Sequence, residues 1–100
     1  MKVPGDLMAP TLRGGWDYVI VWPTTKFLGD ALYVMEDEAG GPTVWQGQWA
    51  PDGVRLSAHN PAYSGSNETV PREWFNDHVL GVVVADLKVR DLRTIVEASA

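Results

Sequence analysis

Apolar and polar residues along this chain fall into short runs cut by turn residues, the spacing of strands more than of helices. Residues 17–22 (Asp-Tyr-Val-Ile-Val-Trp) are β-branched and aromatic and predict a strand buried on both faces, bounded by Gly14-Gly15 and Pro23. A second strand is predicted over 30–36, entered through Gly29-Asp30. A third covers 42–49, with Trp45 and Trp49 on one face and Gln46 and Gln48 on the other. Pro51-Asp52-Gly53 is a strong turn signal. After it, 53–58 alternates, with Val54 and Leu56 inward and Arg55 and Ser57 outward, so 42–58 is predicted as a β-hairpin. Residues 59–73 are rich in Asn, Pro, Ser and Gly and predict a loop; the last strong strand is 78–86. The tail 88–98 fits an amphipathic helix, with Val89, Leu92, Ile95 and Val96 on one face; a strand ending near Arg90 is the competing reading.

The expected fold is therefore mostly β, in one domain over residues 1–100. A chain of this length can bury roughly two-thirds of its surface, enough for one core. Net charge is −5, and the basic residues are scattered apart from a thin cluster at Lys88, Arg90 and Arg93. That balance argues against direct contact with a nucleic-acid backbone, which calls for a basic patch. There are no cysteines, which excludes disulfides and thiolate sites and fits a reducing, cytoplasmic setting. The longest apolar run, 79–85, is far short of the ~20 residues of a membrane-spanning helix and suits a buried strand.

Residues 5–12 read Gly-Asp-Leu-Met-Ala-Pro-Thr-Leu. This octapeptide resembles the signature of the LexA and phage-repressor peptidase family, in which Gly-Asp is followed by a nucleophilic serine and then Met-x-Pro-Thr. The resemblance continues through Gly14-Gly15-Trp16-Asp17-Tyr18-Val19-Ile20-Val21 and a second Gly-Asp before a Tyr-Val strand, Gly29-Asp30-Ala31-Leu32-Tyr33-Val34. It takes in the turn Pro51-Asp52-Gly53, the string Leu56, Asn60, Pro61 and Tyr63, and the segment Val79, Gly81, Val83 and Val84. Five weak motifs in order over residues 4–85 make a specific match. The resemblance implies a LexA-type C-terminal domain, a partly closed assembly of short twisted strands.

In that family a serine attacks a peptide carbonyl while a lysine, its pKa lowered by burial, takes the serine's proton. Here Leu7 stands at the serine position, and a leucine has neither proton to lose nor lone pair to attack with. The lysine's string matches Thr43-Val44-Trp45, so Trp45 stands at the base position. The remaining lysines, Lys2, Lys26 and Lys88, have no evident strand position facing Leu7. The resemblance thus implies an inactive relative, not an enzyme, with Leu7 and Trp45 meeting as an apolar plug in the former cleft. Such a replacement avoids unpaired buried polar groups. The family's cleavage loop and its helix-turn-helix DNA reader lie upstream of the octapeptide, which here begins four residues after Met1; the expectation is an excised C-terminal domain or a free-standing one. Ala39-Gly40 lies downstream, in an acidic setting, and is predicted as a turn and not a scissile bond.

Other chemistry-bearing residues have plainer roles. Asp6 is expected to bond nearby backbone N–H groups in a turn. His59 and His78 have no ligand-spaced partners, so neither a metal site nor a cofactor is implied. Ser57, Ser64 and Ser66 lie near His59 but in no nucleophile-elbow context. Glu36-Asp37-Glu38 is predicted as a solvated turn. The five tryptophans, Trp16, Trp22, Trp45, Trp49 and Trp74, serve mainly as packing groups, with Trp49 and Trp74-Phe75 as candidate interface anchors.

The expected function is a non-cleaving oligomerisation domain of a phage-type transcriptional repressor, which raises the effective concentration of an attached DNA reader. The partners are then a second copy of the chain, in a homodimer or higher oligomer, and DNA only through another domain; no membrane is implied. The predicted dimer contact uses Val79, Val83, Leu87, Val89 and Leu92. The competing readings are a free-standing protein that forms mixed dimers with repressors, a residual serine peptidase, and a ligand-binding module built on the tryptophans.

Overall fold

A computed structural model describes residues 1–88. They form one open, antiparallel six-stranded sheet in the order β1-β6-β2-β3-β4-β5. The strands are β1 (Tyr18–Pro23), β2 (Ala31–Glu36), β3 (Pro42–Ala50), β4 (Gly53–Ser57), β5 (Glu68–Val70) and β6 (Val79–Leu87). Mostly β architecture is as expected; the sheet is not closed, since β1 and β5 are separate edges. The predicted hairpin is β3–β4, paired from Gln46↔Ser57 to Ala50↔Gly53. The tail from residue 89 onward, where a helix or a strand was expected, lies outside the described residues.

Alternation along each strand sorts side chains onto two faces, and each face carries its own cluster. On one face Tyr33, Met35, Val54, Leu56, Val70, Phe75 and Val79 are buried together, with Trp45 and Val82 packed against them. On the other, Val3, Met8 and Leu12 of the N-terminal segment cover Val19, Val34 and Val44. The register agrees, because directly opposed residues share a face. Tyr33 lies across from Trp45 and Val82, whereas Val34 lies across from Val44 and Val21 across from Val83.

The segment 59–73, expected as loop, contains a 3-10 turn (Pro61–Ser66) and β5, and α1 (Arg72–His78) follows. α1 is only two turns long, too short to be stable by itself in water. It is held by its single buried residue, Phe75, whose ring meets Tyr33 edge-on at 4.9 Å and Phe27 edge-on at 5.5 Å. Asn76 adds a side-chain oxygen that accepts from the Phe27 N–H at 3.0 Å. Gly47 makes room beneath the same ring stack: a Cβ there would meet the Tyr33 ring at 2.9 Å.

Two burial expectations change. β1 was predicted buried on both faces, but only its Val19 and Val21 face is covered, while Ile20 and Trp22 are exposed. β6, predicted at the seam of a dimer, is an interior strand between β1 and β2. Continuous apolar sequence marks a strand without saying which elements will lie over it.

Candidate functional site

The octapeptide folds as a compact turn against the second face. The Ala9 N–H donates to the Asp6 carbonyl and the Leu12 N–H to the Met8 carbonyl, so Met8 and Leu12 point together into the core. Gly14 is required where this turn returns, because a Cβ there would fall on the Gly5 carbonyl oxygen.

Asp17 clamps the end of the segment. Its carboxylate is fully buried and accepts from the Arg13 backbone N–H at 2.8 Å, from Arg13 Nη2 at 2.8 Å and Nε at 3.1 Å, and from Lys88 Nζ at 3.1 Å. Lys88 Nζ also donates to the Thr11 carbonyl. Octapeptide, β1 and the end of β6 thus meet at one carboxylate.

The cleft beside Leu7 has a volume of 310 Å³ and lies between residues 4–7 and the start of β3, with Asp37 and Tyr63 at its rim. Its polar groups are already engaged. The Tyr63 hydroxyl donates to the Asp6 carboxylate at 2.6 Å, which with the nearby negative charge raises the phenol's pKa above its ordinary value. Thr43 Oγ1 donates to the Met35 carbonyl, and Asp37 accepts from the Ala39 and Gly41 N–H groups. No lysine lines the cleft among the described residues. Asp6 therefore does not use its carboxylate in a local turn, as expected, but in a bond to a residue 57 positions away.

Leu7 and Trp45 do not share this cleft. Val44 lines it with Leu7, whereas Trp45 packs in the cluster on the opposite face, beside Tyr33. The string match puts Trp45 where the resemblance expects a base, but strand phase turns residue 45 away from the octapeptide: Val44 and Gln46 lie on the octapeptide's face, and Trp45 does not.

Gln46, on the octapeptide's face, joins a bond chain that was not anticipated. Its Oε1 lies 2.8 Å from His59 Nε2, and His59 Nδ1 lies 2.8 Å from Thr11 Oγ1. With the proton on Nε2, the imidazole donates to Gln46 and accepts from the Thr11 hydroxyl. The hydroxyl partnered with His59 is thus Thr11, 48 residues upstream, and not Ser57, Ser64 or Ser66. Asn60 completes the docking: its N–H donates to the Leu7 carbonyl and its Nδ2 to the Asp6 carbonyl. Of the matched pieces, Asn60 and Tyr63 therefore hold the octapeptide in place, while Leu56 packs in the cluster on the opposite face.

Of the predicted dimer residues, Val79 is buried in the first cluster, Val83 packs against the second, and Leu87 is exposed; Val89 and Leu92 lie outside the described residues. Other apolar side chains besides Leu87 are exposed on β1 and β6. Ile20 and Trp22 are 62% and 67% exposed, and Val84 and Leu87 on β6 are 57% and 51% exposed. Leu87 lies across from Tyr18, and Trp22 across from Val82, so Tyr18, Ile20, Trp22 and Leu87 share one face; Val84 adds to it at the β-bulge.

No cluster of three or more metal-ligating side chains occurs among the described residues. None of their helices is long and apolar enough to cross a membrane. Comparison with protein-family models, curated proteins and solved structures finds no match.

Proposed function

We propose that this chain is the non-cleaving oligomerisation domain of a phage-type transcriptional repressor, acting in the cytoplasm, with DNA bound by an attached reader. One observation carries the assembly role: the open apolar face of the β1–β6 ribbon at Ile20, Trp22, Val84 and Leu87. The LexA-type reading rests on the ordered motifs of residues 4–85, and the absence of cleavage on Leu7 at the serine position.

A two-fold contact uses the same patch on both copies, so this one face can serve both partners. Trp22, standing proud of that face, is the side-chain type most enriched at interface hot spots. The contact moves from the β6 residues Val79 and Val83, which already pack inside the chain, to the exposed side chains of β1 and β6. Light scattering over a concentration series tests this. The parent chain is expected as a dimer, and Trp22→Asp and Val84→Asp as folded monomers. A monomeric parent at high concentration, or variants as dimeric as the parent, refutes the assembly role.

A further inference from the structure

An open cavity of 680 Å³ lies on the face opposite the octapeptide, between the ends of β2 and β3 and helix α1. Its floor is apolar, made by Met35, Leu56 and Trp45. One wall is a pair of parallel rings: Trp74 and His78, four residues apart on α1, stack at 4.0 Å with 18° between planes. The His78 Nδ1–H donates to the Trp74 carbonyl at 2.7 Å.

The charged groups lining this cavity are all carboxylates, with Glu36, Glu38 and Glu68 on its rim. Asp37 spends its carboxylate on the turn it closes. The ion pairs among the described residues join Arg13, Lys88, Asp17 and Asp86, so none compensates the three glutamates. Aromatic faces with uncompensated carboxylates form a site for a cation.

We propose that this cavity receives an arginine side chain from a partner polypeptide. Arginine fits better than lysine. Its planar guanidinium stacks on aromatic faces, is weakly hydrated, and offers donors to several carboxylates at once. The inference uses neither the repressor reading nor the dimer face, and stands if both fail.

The five indole N–H signals of the 100-residue chain provide the test. The probe is the pentapeptide acetyl-Ala-Val-Arg-Val-Ala-amide, titrated at low salt, with a citrulline peptide as its neutral isostere. The arginine peptide is expected to move the Trp45 and Trp74 signals and leave those of Trp16, Trp22 and Trp49 in place; the citrulline peptide is expected to move none. Glu68→Gln should weaken binding roughly threefold, the effect of one exposed charge pair, and Trp74→Ala should abolish saturation. No shift at about 10 mM peptide overturns the proposal, as does an equal response to citrulline, which would mark an apolar groove. Tighter binding of tetramethylammonium would mark a small-cation cage instead. A response that emerges only in an Arg90→Ala/Arg93→Ala variant would make the chain's own tail the occupant.

Discussion

Removing the buried anion at the Asp17 clamp is expected to cost less than removing the Arg13 and Lys88 cations. Asp17 is fully buried, whereas the Arg13 and Lys88 side chains are 46% and 48% exposed. In Asp17→Ala the two cations can rehydrate. What remains lost is the acceptor for the Arg13 backbone N–H and the tether between octapeptide and β6, about 2 kcal/mol. In Arg13→Ala/Lys88→Ala the carboxylate stays in the interior without these two charge partners, the situation of a broken buried pair, at about 3–5 kcal/mol. Urea unfolding followed by tryptophan fluorescence reads both. With a slope of about 2 kcal/mol per molar, the midpoint should fall by about 1 M for the single variant and about 2 M for the double. Adding Asp17→Ala to the double variant should recover part of that loss. The reasoning fails if Asp17→Ala is the most damaging change, or if the triple variant is less stable than the double.

Three further outcomes are expected. Tyr33→Phe removes a hydroxyl that donates to the Gly29 carbonyl at 2.6 Å and accepts from the Leu28 N–H at 2.9 Å; thermal unfolding should show a loss of about 1–3 kcal/mol, and an unchanged midpoint would deny the bond its role. Tyr63 should ionise above its ordinary value in an ultraviolet pH titration and at lower pH in Asp6→Asn; because the folded-state pKa is raised, the bond's contribution is present below the unfolded phenol's pKa and is lost as pH rises through the folded one. Leu7→Ser/Trp45→Lys should remain intact by mass spectrometry after alkaline incubation, since residue 45 faces away from the cleft; self-cleavage in that variant would restore the string match as the correct geometry.

Period-two alternation and strong turn residues were enough to locate β1 to β4 and β6 to within one or two residues, because those signals are local. They also placed Val54 and Leu56 inward, as found. The ordered motifs supplied the octapeptide and the distant Asn60 and Tyr63, which the fold does bring together. Other features depended on neighbours that local pattern does not specify. α1 and β5 span seven and three residues, too few for a periodic signal, and Phe75 is held by Tyr33 and Phe27 from other elements. The apolar run in β6 predicted a strand, but strand order made it interior and left Ile20 and Trp22 of β1 uncovered. Trp45 matched a family position by string, yet pairing with Tyr33 set its phase toward the other face. The Thr11–His59–Gln46 chain joins three segments whose side chains are unremarkable singly. Local sequence determines where strands and turns form, because those depend on each residue's own backbone and its near neighbours. Which face is covered, and which polar groups meet, is decided only when separate segments pack and must satisfy one another's apolar surface and hydrogen bonds.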